Sequence, residues 1–395
     1  MAGLQHLTVL LSVVVLLAIV SFIVQRHLRL TARNRPSTTT ATTPPVTTNK
    51  KTTLLQATGE ALPVILFSSS SCQTLNSVIA IPIRPDDNGI PTIEIYIGSP
   101  EPQVLRVALD TASSDLVVSG TDCSSCGRVL GKYDASLSET SIALDECSIV
   151  TFGTQQDRGC YFEDTLTLAG KCITTCGDLN DTASVAADAV EFKRKIFLVS
   201  HDRLRSPYAG NLPRSDYSVF GLCHNDGHPP PILRQLLGGS AQTQFFCILN
   251  KEKPWFLLGQ LPRTCDVLMF DLPSAYHSEF FAVKCDEVTL GDDILRLLPS
   301  TIVIDSGSNF VFLPKQSFHE FSQKYSSGGG DETLSFVFPD FTLELPQESY
   351  HDDDGSLMIY PFEGSGDQVI LGSLLLSNTV VEFEIESRRV RIGLL

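Results

Sequence analysis

The chain has 395 residues, with 45 Asp and Glu against 29 Lys and Arg and a formal net charge of −16. That length can bury more than one core, and the shortage of cations excludes nucleic-acid binding, which needs a basic footprint. Its 11 cysteines are the usage of an oxidising compartment, and the odd count leaves at least one thiol outside any disulfide, with Cys223 the candidate.

Leu7 to Val24 is an apolar stretch of 18 residues broken only by Thr8, Ser12 and Ser21, just long enough to span a bilayer. No Lys or Arg precedes it and no clear small-x-small cleavage site follows, so it reads as an uncleaved signal anchor, with a cleaved signal peptide as the alternative. Arg26, Arg29, Arg33 and Arg35 follow the span and favour a cytosolic domain under the positive-inside tendency. The cysteines favour the lumen or cell exterior. So does the stretch from Ser37 to Thr53, Thr-rich with prolines, which reads as a disordered stalk. Large domains translocate largely regardless of nearby charge, so the expectation is a single-pass protein of the secretory pathway or cell surface with a lumenal domain. Asn180-Asp181-Thr182 is then a glycosylation acceptor.

From about residue 78 the pattern turns to strands. Ile93, Ile95 and Ile97 alternate with Glu94 and Tyr96, and Val381, Phe383 and Ile385 alternate with Glu382, Glu384 and Glu386; a period of two marks half-buried strands. Only short helices are expected, at Pro231 to Leu237 and at Lys315 to Tyr325 after Pro314.

One pattern occurs twice. Ala108-Leu109-Asp110-Thr111-Ala112-Ser113 returns in altered form as Val303-Ile304-Asp305-Ser306-Gly307-Ser308, each an apolar run ending in a carboxylate flanked by hydroxyls. Each is completed later by an apolar-apolar-Gly segment, Val219-Phe220-Gly221-Leu222 and Ile370-Leu371-Gly372-Ser373. Two carboxylates brought into contact cannot both ionise cheaply, so they share a proton and titrate as a unit. One member can then act as base on a water while the other polarises a carbonyl.

The paired motifs and their glycine strands, in this order, resemble the pepsin-like aspartic proteases. Ile93 to Pro100, Ser148 to Thr154 and Val381 to Leu395 resemble that family's first lobe strand, flap and closing hairpin. The resemblance implies a mostly β, bilobal fold with a central cleft, and an aspartic endopeptidase acting at acid pH on polypeptide substrates, with no metal and no cofactor, as a monomer. The expected organisation is an anchor over 1–25, a stalk or short pro-segment over 26–77, a first lobe over 78–250 and a second over 251–395. By carry-over Asp110 and Asp305 form the dyad. Thr111 and Ser306 cross-link their loops, Ser113 and Ser308 bond the outer carboxylate oxygens, Ala112 and Gly307 line the water site, and Phe152, Gly153 and Thr154 form the flap. The family's small disulfide loop after the first motif implies a Cys123–Cys126 bridge, although C-x-x-C is also a redox spacing. A flap tip at Gly153-Thr154 sets Cys147 and Cys160 opposite one another as a staple; Cys160 with Cys172 or Cys176 is the alternative. Cys265 and Cys285 are further disulfide candidates.

The chain departs from the family pattern in places. The first motif has Ala112 where the family has glycine, and a β-carbon there crowds the catalytic water. Phe152 stands for the flap tyrosine and Val117 for its tryptophan partner. The basic pro-segment is missing too: Leu54 to Pro85 carries Arg84 as its one basic residue. The second reading is therefore a weak or inactive relative that binds peptides in the same cleft. Other motifs carry less. No G-x-S-x-G elbow supports a serine triad. His351-Asp352-Asp353-Asp354 lacks calcium-loop spacing, Cys223-His224 with His228 is a thin zinc set, and Gly328 to Gly330 is a loop rather than a phosphate cradle.

Overall fold

The computed structural model describes residues 78–395, apart from 87–88, 128, 153–154, 180–188, 206–216, 224–228, 238–244, 250–253, 276–279, 296–299, 327–332, 353, 363–367 and 374–377. The expected anchor and stalk, the flap tip Gly153-Thr154, Asn180, the two histidines at 224 and 228 and Gly328 to Gly330 lie outside the described residues. Among the described residues no helix is long and apolar enough to cross a membrane.

The described fold is mostly β, in sheets of seven, eight, five and four strands. Among the described residues the helices are Ile232–Leu237 and Lys315–Ser326, with short 3-10 turns besides. The seven-stranded sheet draws on both ends of the described chain. Val78–Pro82 pairs with Trp255–Leu258, which pairs with Phe245–Leu249, which pairs with Thr379–Glu384. Rings from this sheet meet the second half of the chain in the core: Phe246 stacks on Phe383 at 4.6 Å, and Phe281 packs edge-on to both. Each such buried ring stabilises by about 1.5–3 kcal/mol.

The alternation at Ile93–Ile97 appears as expected, with the isoleucines buried. Thr379–Glu384 differs. Glu382, expected on a wet face, is buried, because the sheet is covered on both sides. Its carboxylate accepts from the Leu261 N–H at 2.9 Å and pairs with Arg391, its cross-strand neighbour.

The same strand arrangement is built twice. In the eight-stranded sheet, Ser218–Gly221 runs parallel to Gln103–Asp110 and antiparallel to Leu116–Ser119, lying between them. In the five-stranded sheet, Gln368–Leu371 lies in the same way between Ser300–Ile304 and Val311–Pro314. The inserted strand passes so close to the loop after the carboxylate that its glycine is obligatory. A Cβ on Gly221 would stand 2.5 Å from the Ser114 carbonyl carbon, and one on Gly372 would stand 2.5 Å from the carbonyl oxygens of Ser308 and Phe310.

The hairpin Ile142–Phe152 with Gln155–Ala169 pairs Phe152 with Gln155 and Cys147 with Cys160, and the two cysteines are joined by a disulfide. The long strand Ala189–Arg205 backs its return arm as far as Gln155. Between those strands Arg203 Nε donates to Asp157 at 2.9 Å, both side chains fully buried. Asp157 also accepts from Ser200 at 2.6 Å and Gln155 at 2.6 Å. The Cys123–Cys126 bridge lies against the same strand: Ser125 donates to Asp202 at 2.7 Å and accepts from the Arg203 N–H at 2.8 Å. Removing one partner of a buried pair strands the other charge, so Arg203→Leu should cost about 3–5 kcal/mol. Urea unfolding checks this; a loss below about 1 kcal/mol, the worth of an exposed pair, would show that Asp157 is supported without the guanidinium.

Candidate active site

Asp110 ends its strand and Asp305 follows Ile304 at the end of the equivalent strand, so both carboxylates emerge where the inserted strands hold the backbone. The Leu222 N–H donates to the Asp110 carbonyl at 2.7 Å, and the Asp305 N–H donates to the Leu371 carbonyl at 3.0 Å.

Four hydrogen bonds then tie the two loops together. Thr111 Oγ1 donates to the Ile304 carbonyl at 2.7 Å and accepts from the Ser306 N–H at 2.9 Å. Ser306 Oγ donates to the Leu109 carbonyl at 2.8 Å and accepts from the Thr111 N–H at 3.0 Å. Both side chains are buried, so each hydroxyl has its one proton and one lone pair committed to the opposite loop. A methyl in place of either would orphan a buried N–H and a buried carbonyl.

Held this way, the two carboxyls are hydrogen-bonded to each other. Each carboxylate also accepts from the residue two further on: Ala112 N–H to Asp110 at 2.9 Å and Gly307 N–H to Asp305 at 3.0 Å. The serines do not match. Ser113 Oγ donates to Asp110 Oδ2 at 2.5 Å, whereas the Ser308 hydroxyl accepts from the Phe310 N–H at 3.3 Å, and only the Ser308 backbone N–H serves Asp305. The expected Ser308 hydroxyl bond to the outer oxygen of Asp305 is thus replaced by a turn within its own loop.

That asymmetry sets the charges. Burial raises the pKa of Asp110, but the Ser113 hydroxyl and the Ala112 N–H oppose the rise. Asp305 lies well above the usual carboxylate range, pushed first by burial and then by the charge of Asp110. The shared proton therefore belongs on Asp305, with Asp110 the ionised partner.

Gly307 is exposed yet lies against the dyad: a Cβ there would stand 2.8 Å from Asp110 Cγ and Oδ1. Ala112 holds the same place in the first loop and carries the methyl. Phe152, next to the flap tip, packs on a cluster of Val117, Tyr161 and Leu198. An apolar contact thus stands where a tyrosine–tryptophan hydrogen bond was expected to be missing.

Among the cysteines, Cys176 bonds Cys265, Cys172 is disulfide-bonded as well, and Cys223 is a buried thiol. Cys285, a disulfide candidate from the sequence, is instead a free thiol. It ends strand Ala282–Cys285 facing Ser300, away from Cys265, and donates to the Glu287 carbonyl at 2.9 Å. Burial pushes its thiol up to about 12. Of the acidic loop, Asp352 is spent on the backbone, accepting from the N–H groups of Asp354 at 3.1 Å and Ser356 at 2.7 Å. Two side chains beside the flap, Asp115 and Tyr161, escaped the sequence reading. The offset of Asp115 from Asp110, equal to that of Phe310 from Asp305, was the available signal.

A family model described as eukaryotic aspartyl protease matches residues 92–192, the stretch that holds Asp110 and the flap hairpin. Vacuolar protease A of Aspergillus fumigatus is 26% identical over 231 residues, 56% of this chain and 52% of the relative. Rhizopuspepsin-1 of Rhizopus niveus is 24% identical over 318 residues, 76% of this chain and 77% of the relative. Mucorpepsin of Rhizomucor miehei is 22% identical, over 75% of this chain and 76% of the relative. The chain thus spans about half the length of the vacuolar protease and about three quarters of rhizopuspepsin-1 and mucorpepsin.

The sign of the dyad's effect on stability follows from its raised pKa. A carboxyl whose folded pKa exceeds its unfolded value contributes stability that is complete below the unfolded pKa and is lost as pH rises through the folded one. Asp305→Asn, which removes the costly second charge, should have a higher Tm than the natural chain at neutral pH, with the gap closing as pH falls. Calorimetric scans across that range test it; a gap that widens toward acid would be incompatible with a proton shared on Asp305.

Proposed function

We propose that the chain is a pepsin-like aspartic protease, an endopeptidase that hydrolyses peptide bonds at acid pH through Asp110 and Asp305. The observation that carries this reading is the hydrogen bond between the two carboxyls, held by the reciprocal Thr111 and Ser306 contacts. Ionised Asp110 takes a proton from water as its oxygen attacks the scissile carbonyl carbon. Asp305 gives its proton to the carbonyl oxygen. The tetrahedral intermediate then collapses as Asp110 gives its proton to the leaving nitrogen and Asp305 takes one back from a hydroxyl of the gem-diol, restoring the starting state. Residues 78–250 and 251–395 act as the two lobes and the hairpin at Phe152 as the flap over a polypeptide substrate.

In this reading the chain works as a monomer on the lumenal or outer side of a membrane, anchored through 7–24. The cysteine usage and the disulfides Cys123–Cys126, Cys147–Cys160 and Cys176–Cys265 support that compartment. Protease protection in sealed microsomes tests it, since digestion of the domain without detergent would place it in the cytosol.

Ala112 favours a second reading, a weak or silent relative that binds peptides. It holds in the first loop the place that Gly307 holds in the second, where a Cβ would stand 2.8 Å from the Asp110 carboxylate. Hydrolysis of a denatured protein across the acid range, with and without a statine-type inhibitor, separates the two. Asp110→Asn and Asp305→Asn should each lower kcat by about a thousandfold or more, and activity that survives either change would end the mechanism. Ala112→Gly should raise kcat with little change in KM; an unchanged or lower kcat would show the methyl to be harmless.

A further inference from the structure

The two loops after the carboxylates share a backbone and differ in what they present. The Gly221 N–H donates to the Asp115 carbonyl at 3.0 Å, and the Gly372 N–H donates to the Phe310 carbonyl at 3.0 Å, at the same offset from Asp110 and Asp305. Phe310 packs edge-on against Tyr360 at 5.0 Å and is half-buried in an aromatic cluster. Asp115 is also half-buried but carries a carboxylate.

That carboxylate immediately precedes strand Leu116–Ser119, whose Val117 packs with Phe152. Its charge acts on the phenol of Tyr161, which shares a cluster with Val117 and with Phe152 of the flap. Glu146, on the outgoing flap strand, adds to the same negative field. Other buried carboxylates are satisfied within the fold. Asp157 has Arg203, Ser200 and Gln155; Asp164 has the hydroxyls of Tyr133, Ser138 and Thr140; Glu382 has Arg391 and the Leu261 N–H. Among the described residues the Asp115 carboxylate accepts no hydrogen bond and meets no cation, and burial alone raises its pKa. Being only half-buried, the carboxylate stays open to water and so to a ligand. Nothing in the backbone requires it, since the equivalent loop position accommodates a phenylalanine.

We propose that Asp115 is a specificity-determining residue that receives the ammonium or guanidinium of a Lys or Arg side chain of the bound peptide, beside the flap. The missing partner of the carboxylate is then supplied by the ligand, while Phe310 and Tyr360 present an apolar counterpart in the other loop. This rests on the reading of the cleft as a peptide site, but not on turnover, because recognition is a property of binding.

The test uses the full chain and two series of statine-centred peptides, with lysine or uncharged norleucine placed in turn at each position flanking the statine. Affinities are measured by titration calorimetry at neutral pH. At one position lysine should bind about tenfold more tightly than norleucine, the worth of a charge-assisted hydrogen bond. In Asp115→Asn that ratio should fall below about twofold, and Asp115→Ser provides a second variant should the first not fold. Binding with no lysine preference at any position, or a preference that survives both variants, would overturn the inference and leave the peptide cleft standing. Failure of every peptide to bind would overturn the cleft reading itself, and this inference with it.

Discussion

Two carboxylates in contact repel unless a proton is shared between them, and the structure depends on forcing that contact. The force comes from two hydroxyls, Thr111 and Ser306, each reaching across to the carbonyl that precedes the other's aspartate. Each also accepts the backbone N–H of the other, so the crossing is closed in both directions. A buried group with both its donor and acceptor committed cannot shift without leaving several polar atoms unpaired. The dyad is thereby held at a separation that like charges would not choose.

The rest of the central architecture follows from that constraint. The carboxylates must arrive on rigid backbone, and each is delivered by a strand end locked by an inserted parallel neighbour. The insertion leaves no room for a side chain at Gly221 or Gly372. Near-symmetry of the loops would make the carboxyls equivalent; the serines break it. Ser113 spends its hydroxyl on Asp110, Ser308 spends its own on a backbone N–H, and the proton is biased toward Asp305. One hydroxyl thus separates an ionised carboxylate from a protonated one.

The hairpin that carries Phe152 is supported by different means. A disulfide crosses it, a third strand backs it to within one residue of the tip segment, and a buried Arg203–Asp157 pair fixes that strand. With Phe152 on Val117 and its neighbours, the hairpin is held by packing and covalent linkage rather than by a single polar contact. Such a support tolerates loss of the tyrosine–tryptophan hydrogen bond, and it sets Tyr161 in one cluster with Phe152 and Val117.

The sequence by itself determined what repeats or alternates. Asp110 with Asp305, the glycines at 221 and 372, the isoleucines at 93, 95 and 97 and the facing of Cys147 with Cys160 are all local patterns or equal offsets, so they are legible along the chain. What the tertiary structure decided depends on neighbours far apart in sequence. Glu382 alternates like a surface residue, yet lies inside because a second layer covers its sheet. Cys285 carries no mark of its fate, and only the placement of its strand separates it from Cys265. Ser113 and Ser308 hold matching places in their motifs but choose different acceptors, since a hydroxyl takes whichever partner lies within reach. Asp115 reads as an ordinary loop acid until folding half-buries it with no partner among the described residues, because burial and pairing belong to space and not to order along the chain.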